Sequence, residues 1–229
     1  MTKASVFVVL AGALAVPLAA RAASPAPPVA PSPVAAPSPG APAGSERTFV
    51  KQAVAALSKR YATTAAAVAG GYLRYTDEDG TGAISYANRK WTSADAAHPS
   101  QLWYDARGRL IGADYSVPLT DAPPHAFGLQ PGRFQKFTAH VHYGLAGPNG
   151  TTIYGGAGAK TMAKGGGTVD DPTAEALVKA GLAKSPADVK FVFTFPAIWD
   201  AAIWLIPNPD GAFAEKNPNV KPVHAKESM

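Results

Sequence analysis

The stretch KFTAHVHYG carries the residues best suited to chemistry, because it places two histidines two positions apart. On a β-strand, side chains alternate between faces, so His140 and His142 point to the same side. Two residues along a strand span roughly 6.6 Å, a gap across which two imidazoles can lean together and share an ion. The pattern predicts a site for a divalent transition metal. Two other interpretations stay open: each ring bonds a backbone carbonyl or water, or the pair transfers protons.

A metal site of this kind usually takes a third ligand from elsewhere in the chain. The candidates are His98 and His125, which lie beside prolines in expected loops, and Asp114. The spacing selects none of the three. The turn that follows the histidines sets a register in which Gly155 and Ala157 lie opposite them. Such small partners predict that the imidazoles face open space.

A second candidate is the acidic stretch DEDGTGAISYAN at 77–88, in which Asp77, Asp79 and Thr81 fall at alternate positions before a glycine. It resembles the calcium loop of the EF-hand family, where such side chains supply oxygens and a glycine makes the sharp turn. The resemblance covers 12 residues and implies a weak calcium site. Asn88 stands where that family has a bidentate glutamate, and the flanking residues are poor helix formers.

The strand-like flanks of 77–88 favour a hairpin turn instead. Gly80 and Gly82 accept positive φ, and Asp79 can bond nearby amides. A catalytic pair of carboxylates within the stretch is the remaining alternative. Asp200, inside the apolar run AIWDAAIW, is a further acid of interest. Buried without a partner it would have a raised pKa and could act as a general acid, whereas at a strand end it would only cap a turn.

The helices that frame these residues are predicted from periodicity and capping. A first amphipathic helix begins with Ser45 as its cap and buries positions three and four apart, ending near Tyr61. Thr63 or Thr64 caps a short second helix. A further helix at DDPTAEALVKAG takes Asp171 as its cap and stops at a glycine. The glycine-rich run before it, GGAGAKT to KGGGTVDD, predicts a mobile loop.

The strands are predicted from alternating apolar residues and turn signals. Asp105 to Gly108 makes the turn of one hairpin, and Pro148-Asn149-Gly150 makes the turn of another. The four tryptophans are assigned to the core rather than to a sugar-binding platform. Together these patterns predict an α+β fold: an antiparallel β-sheet built from hairpins, with an N-terminal amphipathic helix and one inserted helix.

Composition divides the chain into four parts. Residues 1–22 have the charge, apolar stretch and small-residue cleavage pattern of a secretory signal, with cleavage after Ala22. Residues 23–44 form a Pro/Ala-rich linker without core-forming residues. Residues 45–222 form a single globular domain, and 223–229 a flexible tail. We therefore expect a secreted or periplasmic protein with no transmembrane segment after cleavage.

The remaining composition narrows the function classes. The chain has no cysteine, which excludes disulfides and thiol chemistry. Its 21 basic residues are scattered singly, so no nucleic-acid partner is expected. The leading hypothesis is a non-catalytic domain that binds a small ligand or metal through the two histidines. The alternatives are a cell-envelope hydrolase that uses the same histidines with Asp114 or Asp200, and a structural module that binds an envelope component without site chemistry.

Overall fold

The structure is a computed structural model that describes residues 44–223 of the 229-residue chain. The predicted signal segment lies outside the described residues, as do all but the last residue of the predicted linker and all but the first of the predicted tail. Four α-helices are present in the described part: α1 Gly44–Arg60, α2 Thr64–Ala69, α3 Ala159–Lys164 and α4 Ala174–Lys179.

Nine strands in the same part of the chain form two antiparallel sheets. They are β1 Tyr72–Arg74, β2 Ile84–Asn88, β3 Gln101–Tyr104, β4 Leu110–Pro118, β5 Gln135–Phe137, β6 His140–Ala146, β7 Thr152–Ala157, β8 Val189–Phe195 and β9 Ile198–Trp204. The first sheet has the order β1-β2-β3-β4-β9-β5, and the second has the order β7-β6-β8. This confirms the predicted α+β class with antiparallel sheets built from hairpins.

The two sheets are joined by one bent antiparallel ribbon. Phe137 pairs with Ile198 at the end of the first sheet, and three residues further along the ribbon His140 pairs with Phe195 in the second. The register is therefore continuous across the bend. Only two residues on each side, 138–139 and 196–197, separate the strands of one sheet from those of the other. The bend includes a proline, which cannot donate to a ladder. His140 begins β6 immediately after this bend.

Three layers of apolar packing hold the architecture together. One face of the first sheet packs against α1, with Leu57, Leu102 and Tyr115 fully buried there. The second sheet buries one face against α3 and α4, around Val141 and Leu177. Between the sheets lies an aromatic layer: Tyr75, Trp91, Phe195 and Ile198, with Phe137, Phe191 and Phe193 packed against it. Burial of this much apolar surface supplies the main driving force for folding.

Several local predictions are confirmed and others are wrong. The turn at 105–108 is present, with the Gly108 amide donating to the Asp105 carbonyl at 2.8 Å. Thr63 caps α2. Ser45 is not the cap of α1, because the helix already includes Gly44, and the Ser45 hydroxyl donates to the Gly128 carbonyl at 2.7 Å.

The inserted helix also begins later than predicted. Thr173, rather than Asp171, is the cap of α4, because its extended backbone directly precedes the first helical residue and its hydroxyl accepts from the Ala176 amide. The glycine-rich run predicted as a loop contains α3. Met162, fully buried against α4, gives this short helix the apolar contact that its glycine-rich flanks do not suggest.

Candidate functional site

The two histidines at the start of β6 turn toward one another. Their Nε2 atoms lie 3.1 Å apart, and their ring centroids are separated by 4.9 Å. His140 is partly exposed, whereas His142 has only 9% of its surface accessible. Side chains alternate between the two faces of a strand, so both histidines lie on the same face of β6, as predicted. This shared face produces the contact. The structure thus brings the predicted pair together.

An aromatic wall surrounds the pair. The His140 ring stacks on Phe195, with centroids 4.4 Å apart and planes 20° from parallel. Tyr75 meets the His142 ring edge-on at 4.6 Å, and Phe193 lies 6.0 Å from His142. These contacts fix the ring orientations and remove water from one side of the pair.

The predicted register at this point is wrong by one residue. His142 pairs with Gly156, while Gly155 and Ala157 pair with Tyr143 and Val141. The turn loop is one residue longer than the prediction required. On the other side of β6, the paired residues are the phenylalanines at 193 and 195 rather than small residues. The histidines therefore lie against aromatic rings and not in open space.

One hydrogen bond fixes the tautomer of His140. Its Nδ1 lies 2.8 Å from the carbonyl oxygen of Thr138, which can only accept, so Nδ1 carries the proton. The Nε2 of neutral His140 then presents a lone pair, and the Nε2–H of His142 donates to it. This arrangement leaves a single proton between the two facing nitrogens.

Burial keeps both imidazoles neutral. Loss of hydration, together with repulsion from the neighbouring His140, lowers the pKa of His142 to about 3. Loss of hydration also lowers the pKa of His140, although its bond to the Thr138 carbonyl acts in the opposite direction. At neutral pH both rings are therefore unprotonated bases.

The three candidate third ligands lie elsewhere. The Nδ1 of His98 is 2.8 Å from Asp95, and its Nε2 accepts from Arg60 at 2.9 Å. His125 is exposed in a loop. Asp114 is buried in β4, where it accepts from the indole of Trp103. Within residues 44–223, no group of three or more His, Cys, Asp or Glu side chains is arranged to hold a metal ion.

Asp114 and Asp200 belong to a buried polar network of the first sheet. The Ser116 hydroxyl donates to Asp200 at 2.6 Å, and the Gln101 amide lies 3.4 Å from the same carboxyl group. Gln101 in turn accepts from the hydroxyl of Tyr75. Tyr75 thus contacts the network through its hydroxyl and His142 through its ring edge.

Burial raises the pKa of both carboxyl groups. Loss of hydration raises the pKa of Asp200 to about 7, opposed by the Ser116 bond. Loss of hydration and then the charge of Asp200 raise the pKa of Asp114 well above its ordinary value. The sequence pointed to Asp200 as an acid within apolar surroundings, and the structure places it in the core. Its partners are polar side chains of the neighbouring strands rather than a histidine.

The acidic part of the stretch 77–88 is built as a turn: residues 77–83 lie between β1 and β2, and residues 84–88 form β2 itself. Asp79 Oδ1 accepts from the Thr81 amide at 2.8 Å, from the Thr81 hydroxyl at 2.6 Å and from the Ala83 amide at 3.1 Å. Gly82 has a φ of +80°, as the turn requires. Asp77 pairs with Arg74 at 3.1 Å. These contacts account for the acidic residues by turn chemistry, and the calcium site stays a prediction.

Sequence reasoning missed the aromatic residues that complete the histidine site. Phe191, Phe193 and Phe195 alternate along β8, and this period of two was a usable signal that they share one face. Tyr75 carried no such signal, because its contacts with His142 and Gln101 join positions far apart in the sequence.

Comparison of the chain with models of known protein families, with curated proteins and with solved structures found no match. No helix in the described range 44–223 combines the length and apolar character that crossing a membrane requires.

Proposed function

We propose that this protein binds a divalent transition metal ion through His140 and His142, as a non-catalytic binding domain. The observation that supports this most strongly is the 3.1 Å separation of the two Nε2 atoms. A tetrahedral ion with bonds of about 2.0–2.1 Å to each nitrogen holds the two nitrogens about 3.3 Å apart. The two nitrogens need to separate by only a few tenths of an ångström to reach the distance that a shared ion requires.

The surroundings of His140 are those of a metal ligand. Ligating histidines usually donate their second ring N–H to a carbonyl or carboxylate, which orients the ring and raises its basicity. The bond from His140 Nδ1 to the Thr138 carbonyl has this form. His142 reaches the ligating state when its proton moves from Nε2 to Nδ1.

The lowered pKa values of both histidines favour the same function. A metal ion competes with protons for imidazole nitrogens, and here that competition is removed at neutral pH. Two protein ligands leave further coordination positions to water or to a small ligand. By the general affinity order of divalent ions, copper binds such nitrogen donors more tightly than zinc.

The predicted secretory signal is compatible with the same proposal. The signal pattern of residues 1–22 and the linker at 23–44 indicate a secreted or periplasmic protein whose partner is a small molecule or a component of the cell envelope. The hydrolase alternative takes second place, because Asp114 and Asp200 bond Trp103, Ser116 and Gln101 rather than an imidazole.

The test is calorimetric titration of the full chain, without an affinity tag, with Cu²⁺ and Zn²⁺. We expect one ion per chain. The double variant His140→Ala, His142→Ala loses both ligands, so its affinity falls by more than the roughly 10–100-fold that loss of an outer-shell partner causes. His125→Ala removes an exposed histidine and is the matched control. Equal binding by the wild type and the double variant would refute the proposal.

A further inference from the structure

A cleft of about 340 Å³ opens between the two sheets and is lined in part by Phe193, which also neighbours His142. Its walls come from the β1–β2 edge of the first sheet, including Leu73 and Ala87, and from the edge strand β8 of the second. Trp91 and Phe193 supply the aromatic surface, with ring centroids 5.7 Å apart. The volume lies in the range of sites that hold small molecules.

Trp91 is held at this wall in an unusual backbone conformation. Its φ is +53°, a left-handed value that bulky residues rarely adopt. The Asn88 side chain stabilises the conformation by accepting from the Lys90 and Trp91 amides at 3.0 Å each. The indole packs on Phe195 at 4.5 Å. A strained residue of this kind persists where its surroundings fix it, and such residues concentrate at ligand sites.

The charge at the cleft is positive. Arg89 lines it and is exposed, and Lys90 follows in the chain. The ion pairs found in residues 44–223 do not include either residue. The lining residues in this range are apolar, polar or basic, with no acid among them. A cleft with apolar walls and a guanidinium at its rim is complementary to an anion with an apolar body.

We propose that this cleft binds a small organic anion with a flat aromatic body. The ring packs against Trp91 and Phe193, and the carboxylate pairs with the Arg89 guanidinium. This site uses groups other than the metal-binding imidazoles, so it goes beyond the metal function. The two sites share Phe193, whose ring neighbours both His142 and Trp91.

The experiment compares cinnamate with its neutral analogue cinnamamide, by calorimetry in the presence of a chelator. We expect cinnamate to bind about threefold more tightly, the effect of a single exposed ion pair. Arg89→Gln should abolish this difference by weakening cinnamate alone. Lys51→Gln removes an exposed cation on α1, away from the cleft, and should leave both affinities unchanged.

The Trp91→Gly variant is a second test. Glycine adopts the left-handed backbone conformation without strain, so the substitution removes the indole ring while keeping the backbone. This variant should weaken both ligands about equally, with a thermal melting curve confirming that it folds. Equal affinity of the wild type for the two ligands, absence of binding by either, or an unchanged preference in Arg89→Gln would overturn the proposal. The chelator keeps this result independent of metal binding, so either proposal can fail alone.

Discussion

Three buried titratable residues, Asp114, Asp200 and His142, act in opposite directions on the pH dependence of stability. A raised carboxyl pKa stabilises the fold below the unfolded value of about 4, and this contribution is lost as pH rises through the folded value, about 7 for Asp200. Asp114 acts in the same sense. A lowered histidine pKa stabilises the fold above about 6.5, and this contribution is lost as pH falls toward about 3 for His142. The two effects oppose each other between about pH 4 and pH 6.5.

The Asp200→Asn substitution should make the contribution of the histidines to the pH dependence of stability easier to measure, because it removes one of the opposing carboxyl groups. The variant has no charge to bury, so we expect it to exceed the wild type in stability by about 1–3 kcal/mol at pH 8. At pH 5 the carboxyl group of the folded wild type is already protonated, so the difference should be smaller than at pH 8. Urea unfolding at the two pH values measures this. A constant difference between the proteins at both values would contradict it.

The His142→Phe variant makes the complementary test, because it removes the buried histidine and keeps both carboxyl groups. Phenylalanine suits the aromatic surroundings of this side chain and never takes up a proton. We expect the variant to be more stable at pH 5 than at pH 8, because the two carboxyl groups then dominate. Asp200→Asn, which keeps both histidines and one of the two carboxyl groups, should lose less stability between pH 5 and pH 8 than His142→Phe does. An equal or larger loss in Asp200→Asn would show that the assignment of these opposing effects is wrong.

The individual residues of the site were predictable where the signal was local. The spacing of His140 and His142 was enough to place both on one face. The apolar neighbours of Asp200 singled it out but left open whether it is buried or only caps a turn, and the structure buries it. The partners were not predictable, because Tyr75, Phe193 and Gln101 reach these residues through pairing of distant strands. Metal binding by the histidines stays a prediction.

The packing of α3 on α4 depends on a glycine. A Cβ built on Gly165 would overlap the backbone carbonyl oxygen of Ala176, which cannot move aside as a flexible side chain can. We expect Gly165→Ala to destabilise the fold by about 1–3 kcal/mol, measured by urea unfolding. Gly158→Ala is the matched control, because that position precedes α3 and has open space around it. Equal stability of the two variants would contradict this packing.

At the level of helices and strands, prediction succeeded where turn residues are distinctive. The hairpins at 105–108 and 148–150 have aspartate, proline and glycine at the positions that turns require. Helix α3 was missed because glycines flank its six residues, and tertiary contact rather than propensity stabilises so short a helix. The start of α4 was placed two residues early because Asp171 and Thr173 are both good caps.

One buried ion pair ties the N-terminal helix to the rest of the fold. Arg133 donates to both carboxylate oxygens of Glu46, at 2.8 and 3.0 Å, and its guanidinium lies 4.4 Å from the Phe213 ring. Glu46 also accepts from the Gln130 amide at 3.1 Å. Both charged side chains are almost fully inaccessible. The pair therefore joins α1 to a segment more than 80 residues away.

Glu46→Ala should be strongly destabilising. It removes the carboxylate from a buried guanidinium, a change that typically costs about 3–5 kcal/mol, which thermal and urea unfolding would both detect. Asp77→Ala breaks the exposed pair with Arg74 and should cost less than about 1 kcal/mol. A loss at Glu46 as small as that at Asp77 would show that α1 is held by apolar packing alone.

The arrangement of two sheets was beyond prediction from the sequence. The links at 138–139 and 196–197 have no glycine, and the strands that pair across the bend are more than 50 residues apart in the chain. Alternation identified the strands but gave no sign of which sheet each would join.

Because the register of the bent ribbon is continuous, an error in strand pairing in one sheet would also shift the pairing in the other sheet. In this ribbon Asp200 pairs with Gln135, and His142 pairs with Phe193. If one strand of the ribbon slipped by a single residue against its partner, its inward-facing side chains would point outward and its outward-facing side chains inward. A misaligned molecule would expel the carboxyl group from the core and pull its imidazoles away from the phenylalanines in the same event. Correct pairing of this ribbon therefore positions the Asp200 network and the histidine pair together, and incorrect pairing positions neither.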